Sequence, residues 1–401
     1  MPELSDYDQF QGLHWETGSL RNFLAYQGIT APHTNQPYSE AMLLGISGGI
    51  VMGYFTFAYQ GYDPMVRILT RNTFEPLKTI YERLDIQSNI RQTANPDIGV
   101  SNLLDVLEAG SPAIVFADMI SLPYNTLAPD DAMWAMFPIL VYGYDQNQGI
   151  VWIADRSRRP LSVTIEELAI ARGKTKKNKF RLQTHEPPNP NKLQSAVEAG
   201  IRDCIQLFTE APPKGSKNNL GFLAYQKWVS LLRKSNQRSS WEKEFPPGPK
   251  MYAALTSAFY DITIFGKDGG AERKLFSEFL EEASLLLDKP ELQEVADRFR
   301  KSAEAWDDLA KALLPEEVPL FKETRELMLN KHLLFLEKGN SALDDIYQIS
   351  DRLTEIKVQV NEDFPLNSSQ TSELRETVAD KIMTVHDIEF DAIQELRAVI
   401  G

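Results

Sequence analysis

Residue types that build many catalytic and metal sites are scarce in this chain of 401 residues. Cys204 is the only cysteine, so the chain forms no internal disulfide and offers no cysteine-based zinc site. The five histidines are scattered instead of being spaced as metal ligands. No HExxH, P-loop or strand-linked GxGxxG motif occurs, so metalloprotease, nucleoside-triphosphatase and dinucleotide-binding functions lack support. We expect neither a metal nor a cofactor.

Positive charge is outnumbered, since 42 lysine and arginine residues face 56 aspartate and glutamate residues and the net charge is −14. Nucleic-acid binding begins with a positive surface, so nucleic acid is not expected as a partner. The one notable basic run is RGKTKKNKF, Arg172 to Phe180. It contains no interleaved aromatic residues before its end, and the sequence predicts a solvated loop.

Long uninterrupted apolar runs are missing as well. The segment AMLLGISGGIVMGYFTFAY has the length of a membrane span, but it contains five glycine and serine residues and has no flanking lysine or arginine. We therefore expect a buried core segment and no membrane contact. The N-terminus MPELSDYDQF lacks the basic start and apolar core of a secretory signal, so a cytoplasmic location is expected.

The sequence predicts an α+β N-terminal domain over residues 1–186. A helix is predicted over Thr17 to Gln27, and the runs PAIVFAD, PILVYGYD and GIVWIAD are typical of β-strands. TIEELAIARG begins with a capping box from Thr164 to Glu167, and KFRLQTH is predicted to close the sheet. The proline-rich stretch HEPPNPNK is the predicted linker.

An all-α domain is predicted over residues 190–401. Apolar residues recur there at spacings of three and four, which is typical of amphipathic helices. The last two helical runs, from about Pro319 to Asp363 and from Thr371 to Ile400, are longer and more charged. They either close the bundle or pair with another chain, so a homo-oligomer is one possibility.

Four segments resemble, in their order, the N-terminal domain of the butirosin-biosynthesis acyltransferase family. These segments are GLHWETGSLRNFLAYQG, YSEAMLLGISGGI, GSPAIVFADMISLPYN and PILVYGYDQNQGIVWIAD. The helical half resembles, to about Pro315, the companion domain of unknown function that often follows it, through NNLGFLAYQKW and GKDGGAERKLFSEFLEEAS. The resemblance implies a papain-like fold. It also implies that intact members act on a small acylated molecule or an acyl carrier protein.

The same resemblance implies a catalytic cysteine at the start of the first long helix, a histidine on a strand, and an acid that orients the histidine. In this chain the cysteine position falls on Trp15 and the histidine position on Phe137 or its neighbour Pro138, whereas Asp155 keeps the expected residue type. Indole and phenyl rings cannot ionise or attack a carbonyl group. Cysteine-based acyl transfer at this site is therefore not expected, and the sequence favours a pseudoenzyme over an active enzyme.

Three hypotheses follow. The first is a degenerate family member that binds a small ligand or a partner, with Trp15, Phe137, Asp118, Tyr124 and Asp155 as its ligand-binding residues. The second is an acyltransferase, amide hydrolase or ligase with a rebuilt site that uses His14, Glu16 or Thr17. The third is a structural subunit that assembles through its C-terminal helices. For Asp118 the sequence also allows a purely structural role at the end of its strand, and for Thr17 a helix-capping role.

Overall fold

The computed structural model describes residues 4–127, 133–210, 216–234, 239–266 and 269–401. The α-helices in these residues are α1 Trp15–Tyr26, α2 Glu40–Ile46, α3 Pro76–Leu84, α4 Pro96–Glu108, α5 Ile165–Gly173, α6 Leu193–Thr209, α7 Phe222–Arg233, α8 Trp241–Glu244, α9 Pro249–Tyr260, α10 Arg273–Leu287, α11 Leu292–Leu313, α12 Pro319–Lys338, α13 Leu343–Glu362 and α14 Ser368–Ile400. The strands are β1 Ile50–Phe57, β2 Met65–Arg71, β3 Ser88–Arg91, β4 Ala113–Asp118, β5 Met136–Asp145, β6 Ile150–Ala154, β7 Leu161–Thr164 and β8 Leu182–His185. The chain is thus α+β, as predicted.

The chain divides into two compact units, and neither is continuous in the sequence. The first unit contains the chain up to Leu43, Glu75–Leu193 and Lys331–Gln348. The second contains Leu44–Phe74, Gln194–Asn330 and Ile349–Gly401. The predicted domains, 1–186 and 190–401, are each one continuous stretch and therefore differ from these units, although Leu193 lies close to the predicted linker.

The first unit is built on a six-stranded antiparallel sheet with the strand order β3-β8-β4-β5-β6-β7. The three predicted β-rich runs form β4, β5 and β6, and the capping box of Thr164 and Glu167 begins α5. The last strand, β8, does not close the sheet at its edge as predicted. It pairs with both β3 and β4, because the short strand β3, which the sequence analysis missed, occupies the edge.

A late segment of the chain completes the first unit. The Ser157 hydroxyl donates to the Phe335 carbonyl at 3.0 Å, and the Arg158 amide donates to the Leu336 carbonyl at 2.9 Å. Asn340 exchanges two hydrogen bonds with the backbone of Ser162. The end of α12 is therefore fixed against the loop between β6 and β7.

The glycine-rich apolar run folds as a helix, which begins in the first unit, followed by a strand of the second unit. Helix α2 ends at Ile46, and Gly48 and Gly49 follow it with φ values of 109° and 68°. Residues other than glycine rarely adopt such positive φ values. The chain then enters β1, which pairs with β2 as an isolated antiparallel hairpin. The prediction of a buried segment holds from Ala41 to Tyr54, but the strand was not foreseen.

Helix α14 is part of the core of the second unit. Its Glu389 carboxylate is fully buried and accepts hydrogen bonds from Arg273, Ser302, Trp306 and Tyr225 at 2.6–3.1 Å. Burial alone would raise the pKa of Glu389, but the adjacent Arg273 guanidinium holds it below its usual value. The end of the chain therefore closes the helical bundle of its own unit, which is one of the two arrangements predicted for it.

Candidate functional site

The start of α1 holds a stack of two aromatic rings. Trp15 is the first residue of α1 and is 1% exposed, while Phe137 is the second residue of β5. Their ring centroids are 4.3 Å apart with an interplanar angle of 21°, which is a stacked arrangement. The fold thus brings together the two residues to which the resemblance assigns the cysteine and histidine positions.

An arginine that the sequence analysis did not single out joins this stack. The guanidinium carbon of Arg156 lies 4.0 Å from the ring centroid of Trp15 and 5.1 Å from that of Phe335. Cation–π attraction and planar stacking both favour this placement, since guanidinium is flat and weakly hydrated. The Arg156 side chain is 10% exposed, so the cluster is largely shielded from solvent.

The carboxylate of Asp155 is committed to Arg156 and Tyr124. Its Oδ1 accepts hydrogen bonds from the Arg156 amide at 2.7 Å and Nε at 3.2 Å. Its Oδ2 accepts from Arg156 Nη2 and from the Tyr124 hydroxyl, each at 3.2 Å. Burial and then the nearby Asp155 charge raise the pKa of Tyr124 well above its usual value, so the hydroxyl stays protonated and donates. The acid that would orient a histidine therefore binds an arginine instead.

Asn125 fixes the other side of the guanidinium. Its Oδ1 accepts a hydrogen bond from Arg156 Nη2, and its Nδ2 donates to the Met119 carbonyl at 3.0 Å. Arg156 is consequently held by two side-chain acceptors and two aromatic rings. We call Trp15, Phe137, Asp155, Arg156 and Phe335 the aromatic–arginine cluster.

A second group of polar contacts lies at the N-terminus of α1 and is centred on Glu40. The buried Glu40 carboxylate accepts from the amides of Leu13 and His14 at 2.5 and 2.9 Å and from the Thr17 hydroxyl at 2.7 Å. A carboxylate at a helix N-terminus is stabilised by the helix dipole. The predicted capping role of Thr17 is therefore wrong, because α1 begins at Trp15 and Thr17 donates to Glu40 instead of accepting from a helix amide.

The predicted site residues His14, Glu16 and Asp118 are buried or half-buried in the first unit. His14 is buried immediately before α1, and Glu16 is half-buried in its first turn. Asp118 is buried and accepts from the Ser121 amide and hydroxyl and from the Ala135 amide at 2.6–3.2 Å. Its carboxylate ends β4 and satisfies turn amides, which is the structural alternative that the sequence allowed.

Two other reactive residue types are placed in the cores. His185 in the first unit contacts the Tyr81 and Ser88 hydroxyls through its two ring nitrogens, and burial lowers its pKa to about 4. Cys204 in the second unit is fully buried, and burial raises the pKa of its thiol to about 12. Such a thiol is unreactive at neutral pH.

Within the described ranges, no group of three or more histidine, cysteine, aspartate and glutamate residues is arranged to hold a metal ion. Among the helices that the structure describes, none combines the length and the apolar character needed to cross a membrane.

Comparison with protein families identifies two consecutive domains. Residues 14–156 match the family described as butirosin biosynthesis protein H, N-terminal. Residues 166–319 match a domain of unknown function, DUF4872. A search among curated proteins gave no match. The first match begins at His14 and ends at Arg156, so it includes the aromatic–arginine cluster apart from Phe335. The chain therefore carries an N-terminal domain of the butirosin biosynthesis protein H family over residues 14–156, followed by the companion domain of unknown function over residues 166–319.

Proposed function

We propose that this protein is a non-catalytic member of its family, which acts through binding or assembly instead of acyl transfer. The observation that carries the proposal is the position of Arg156, which stacks on Trp15 and binds Asp155 at the same time. The two aromatic residues and the acid are thereby joined in one packed cluster.

None of the groups in this cluster supplies the chemistry of acyl transfer. Indole and phenyl rings have no ionisable proton at neutral pH, and guanidinium stays protonated in proteins. The only basic group is the Asp155 carboxylate, whose two oxygens each accept two hydrogen bonds. A nucleophile and a free proton acceptor are therefore both lacking in this cluster, and transfer through a cysteine is not proposed.

What the protein binds is proposed from its family. Intact members are expected to recognise a small acylated molecule or an acyl carrier protein. We propose that this chain is cytoplasmic and binds a partner of the same class without reacting with it. The packing of Trp15 against Phe137 supports a partner that docks on the surface more than a ligand that enters the cluster. The mass of the full chain in solution tests whether a homo-oligomer forms.

Turnover is the first test of the proposal. Purified protein is incubated with acyl thioesters of N-acetylcysteamine and an amine acceptor, and both product and covalent acyl-protein are measured by mass spectrometry. We expect neither above the buffer control. Turnover that requires residues of this domain would contradict the proposal.

A second experiment tests the assignment of the positions by restoring the missing groups. In the Trp15→Cys/Phe137→His/Arg156→Ala variant, the new thiol would stand at a helix start next to an imidazole, which lowers a thiol's pKa. We expect iodoacetamide to label it faster at pH 6 than the same variant without Phe137→His. The native thiol of Cys204 adds no background because it is buried. Equal labelling rates would show that the two positions do not form a catalytic pair.

A rebuilt hydroxyl enzyme is the second candidate, and one contact favours it. The Thr17 hydroxyl donates to Glu40 at 2.7 Å, which pairs an alcohol with a carboxylate at a helix start. Against it, the same carboxylate accepts two backbone amides and is buried. If turnover is found and this hydroxyl is the nucleophile, Thr17→Val and Glu40→Gln each abolish the turnover. The control Ser19→Ala, two residues further along α1, leaves it unchanged.

A further inference from the structure

A cluster of unpaired lysines stands out in the first unit of this acidic protein. The loop of residues 174–179, KTKKNK, contains Lys174, Lys176, Lys177 and Lys179, and we call it the lysine loop. No aspartate or glutamate occurs from Leu168 to His185. Lys176 and Lys177 are exposed, while the other two lysines are half-buried.

The lysines of this loop lack the acidic partners that are common elsewhere in the molecule. Among the described residues, none of the four forms an ion pair, whereas Lys78, Lys311, Lys357 and Lys381 each contact a carboxylate. The nearest acid before the loop in sequence, Glu167, accepts the amide of Thr164 in the capping box at the far end of α5. The positive charge of the loop is therefore not neutralised by ion pairs.

A buried arginine adds to this charge. Arg172, at the base of the loop, is 2% exposed and donates only to two backbone carbonyls, those of Gly99 and Phe180, at 3.4 and 3.2 Å. Its Nε has no hydrogen-bond partner in the described part of the chain. Burial lowers the pKa of Arg172 to about 10, so the group is still a cation at neutral pH. A buried cation without a carboxylate is costly, and a nearby anion offsets that cost.

Hydrogen bonds hold the loop at its two ends and at Lys177. Its two ends are joined by the Phe180 amide, which donates to the Arg172 carbonyl at 3.1 Å, and by the Arg172 side chain, which donates back to Phe180. Phe180 is buried against Gly99 of α4, and the Gln92 side chain donates to the Lys177 carbonyl at 2.8 Å. A fixed loop loses little conformational entropy when it binds a ligand.

We propose that the lysine loop binds a small, multiply charged phosphate group, such as the di- or triphosphate of a soluble metabolite. A compact anion interacts mainly with charges within the Debye length of about 8 Å, so it senses the loop more than the rest of the surface. An extended polyanion or an anionic membrane would also meet the remaining surface, whose net charge is negative. The site is separate in sequence from the aromatic–arginine cluster, and its function does not depend on that cluster.

Titration calorimetry with inorganic tripolyphosphate tests the site in the full chain, at 50 mM and 200 mM NaCl. We expect saturable binding to one site that weakens with salt. In Lys176→Ser/Lys177→Ser we expect the affinity to fall by about tenfold or by a larger factor, because each lysine supplies a charge-assisted hydrogen bond. The control is Lys78→Ser/Lys338→Ser, which changes two exposed lysines of the same unit and gives the same net charge. We expect the control to bind as the unmodified protein does.

Three results would overturn the proposal. One is the absence of saturable binding at 50 mM NaCl. Another is an equal loss of affinity in both double variants, which would indicate a response to net charge alone. The third is binding to vesicles with 20% phosphoinositide lipid, lost in the Lys176→Ser/Lys177→Ser variant, without binding of tripolyphosphate, since that would assign the loop to a membrane surface.

Discussion

Replacement of Glu389 by glutamine is expected to destabilise the second unit strongly. The carboxylate and its partner Arg273 are both fully buried, and their closest atoms are 2.7 Å apart. Arg273 further donates to the carbonyls of Val51, Thr70 and Ala271, so it stays in place when the charge of Glu389 is lost. The Glu389→Gln variant keeps the size of the side chain but removes the charged carboxylate that the buried Arg273 contacts directly.

The expected cost follows from the loss of one member of a buried pair, which is about 3–5 kcal/mol. Glutamine also replaces one of the two oxygens by an NH₂ group, which cannot accept a hydrogen bond. If Oε1 is replaced, the bonds from Arg273, Ser302 and Trp306 are lost, and if Oε2 is replaced, the second bond from Arg273 is lost. Because the pKa of Glu389 is held low, its contribution is fully present at pH 7 and is lost as the pH falls through that pKa.

Glu395→Gln is the matched control on the same helix. Glu395 pairs with Arg298 of α11, the helix that also supplies Ser302 and Trp306, but both side chains are about two-fifths exposed. Exposed pairs contribute about 0–1 kcal/mol. Urea unfolding at pH 7, followed by circular dichroism and tryptophan fluorescence, gives both values from the shift in midpoint. A cost below about 1 kcal/mol for Glu389→Gln, or one equal to that of the control, would refute the reasoning.

Three further predictions concern buried groups. Burial raises the pKa of Asp261 to about 7, although the charge of Arg67 opposes this shift. The folded protein therefore loses stability as the pH rises from about 4 to 7. Asp261→Asn should stabilise the protein by about 1–3 kcal/mol at pH 8 but not at pH 4. The pKa of His185 is lowered to about 4, so stability is full above pH 6.5 and falls by about 2 kcal/mol between pH 7 and 5, a loss that His185→Gln should abolish. A Cβ at Gly200 would lie 2.1 Å from the Gly45 carbonyl oxygen, so Gly200→Ala should cost about 2 kcal/mol or more, although alanine favours helices.

Urea midpoints measured across pH check these three predictions. Equal effects of Asp261→Asn at pH 4 and pH 8 would show that Asp261 does not titrate near neutrality. A pH slope that persists in His185→Gln would assign it to another group. For the glycine, Gly173→Ala is the control, because a Cβ there lies 3.6 Å from Phe180 in ordinary contact. An equal change in both alanine variants would contradict the expected clash.

Local sequence patterns were sufficient for much of the secondary structure. Alternating or continuous apolar residues between turn residues predicted β4, β5 and β6, and the side chains of Thr164 and Glu167 form the predicted capping box. Asn72 and Glu75 have the same three-residue spacing, but α3 begins at Pro76 without a side-chain cap and Asn72 accepts the Phe74 amide. A capping box depends on backbone angles, and Glu75 has a φ of 48°.

Local patterns and motif order were enough to indicate the α+β class and the resemblance to the family. Residue identity alone excluded a thiol and an imidazole at the expected cysteine and histidine positions, because it decides whether a group can ionise. Tertiary structure decided which groups meet. Arg156 and Phe335 are 179 positions apart in the chain, yet the Arg156 guanidinium lies over the Phe335 ring. Likewise, Glu40 accepts a hydrogen bond from Thr17, which lies 23 positions earlier in the chain. Contacts between residues far apart in the chain leave no local periodic signal, so only the folded chain reveals that an arginine occupies the place beside Asp155.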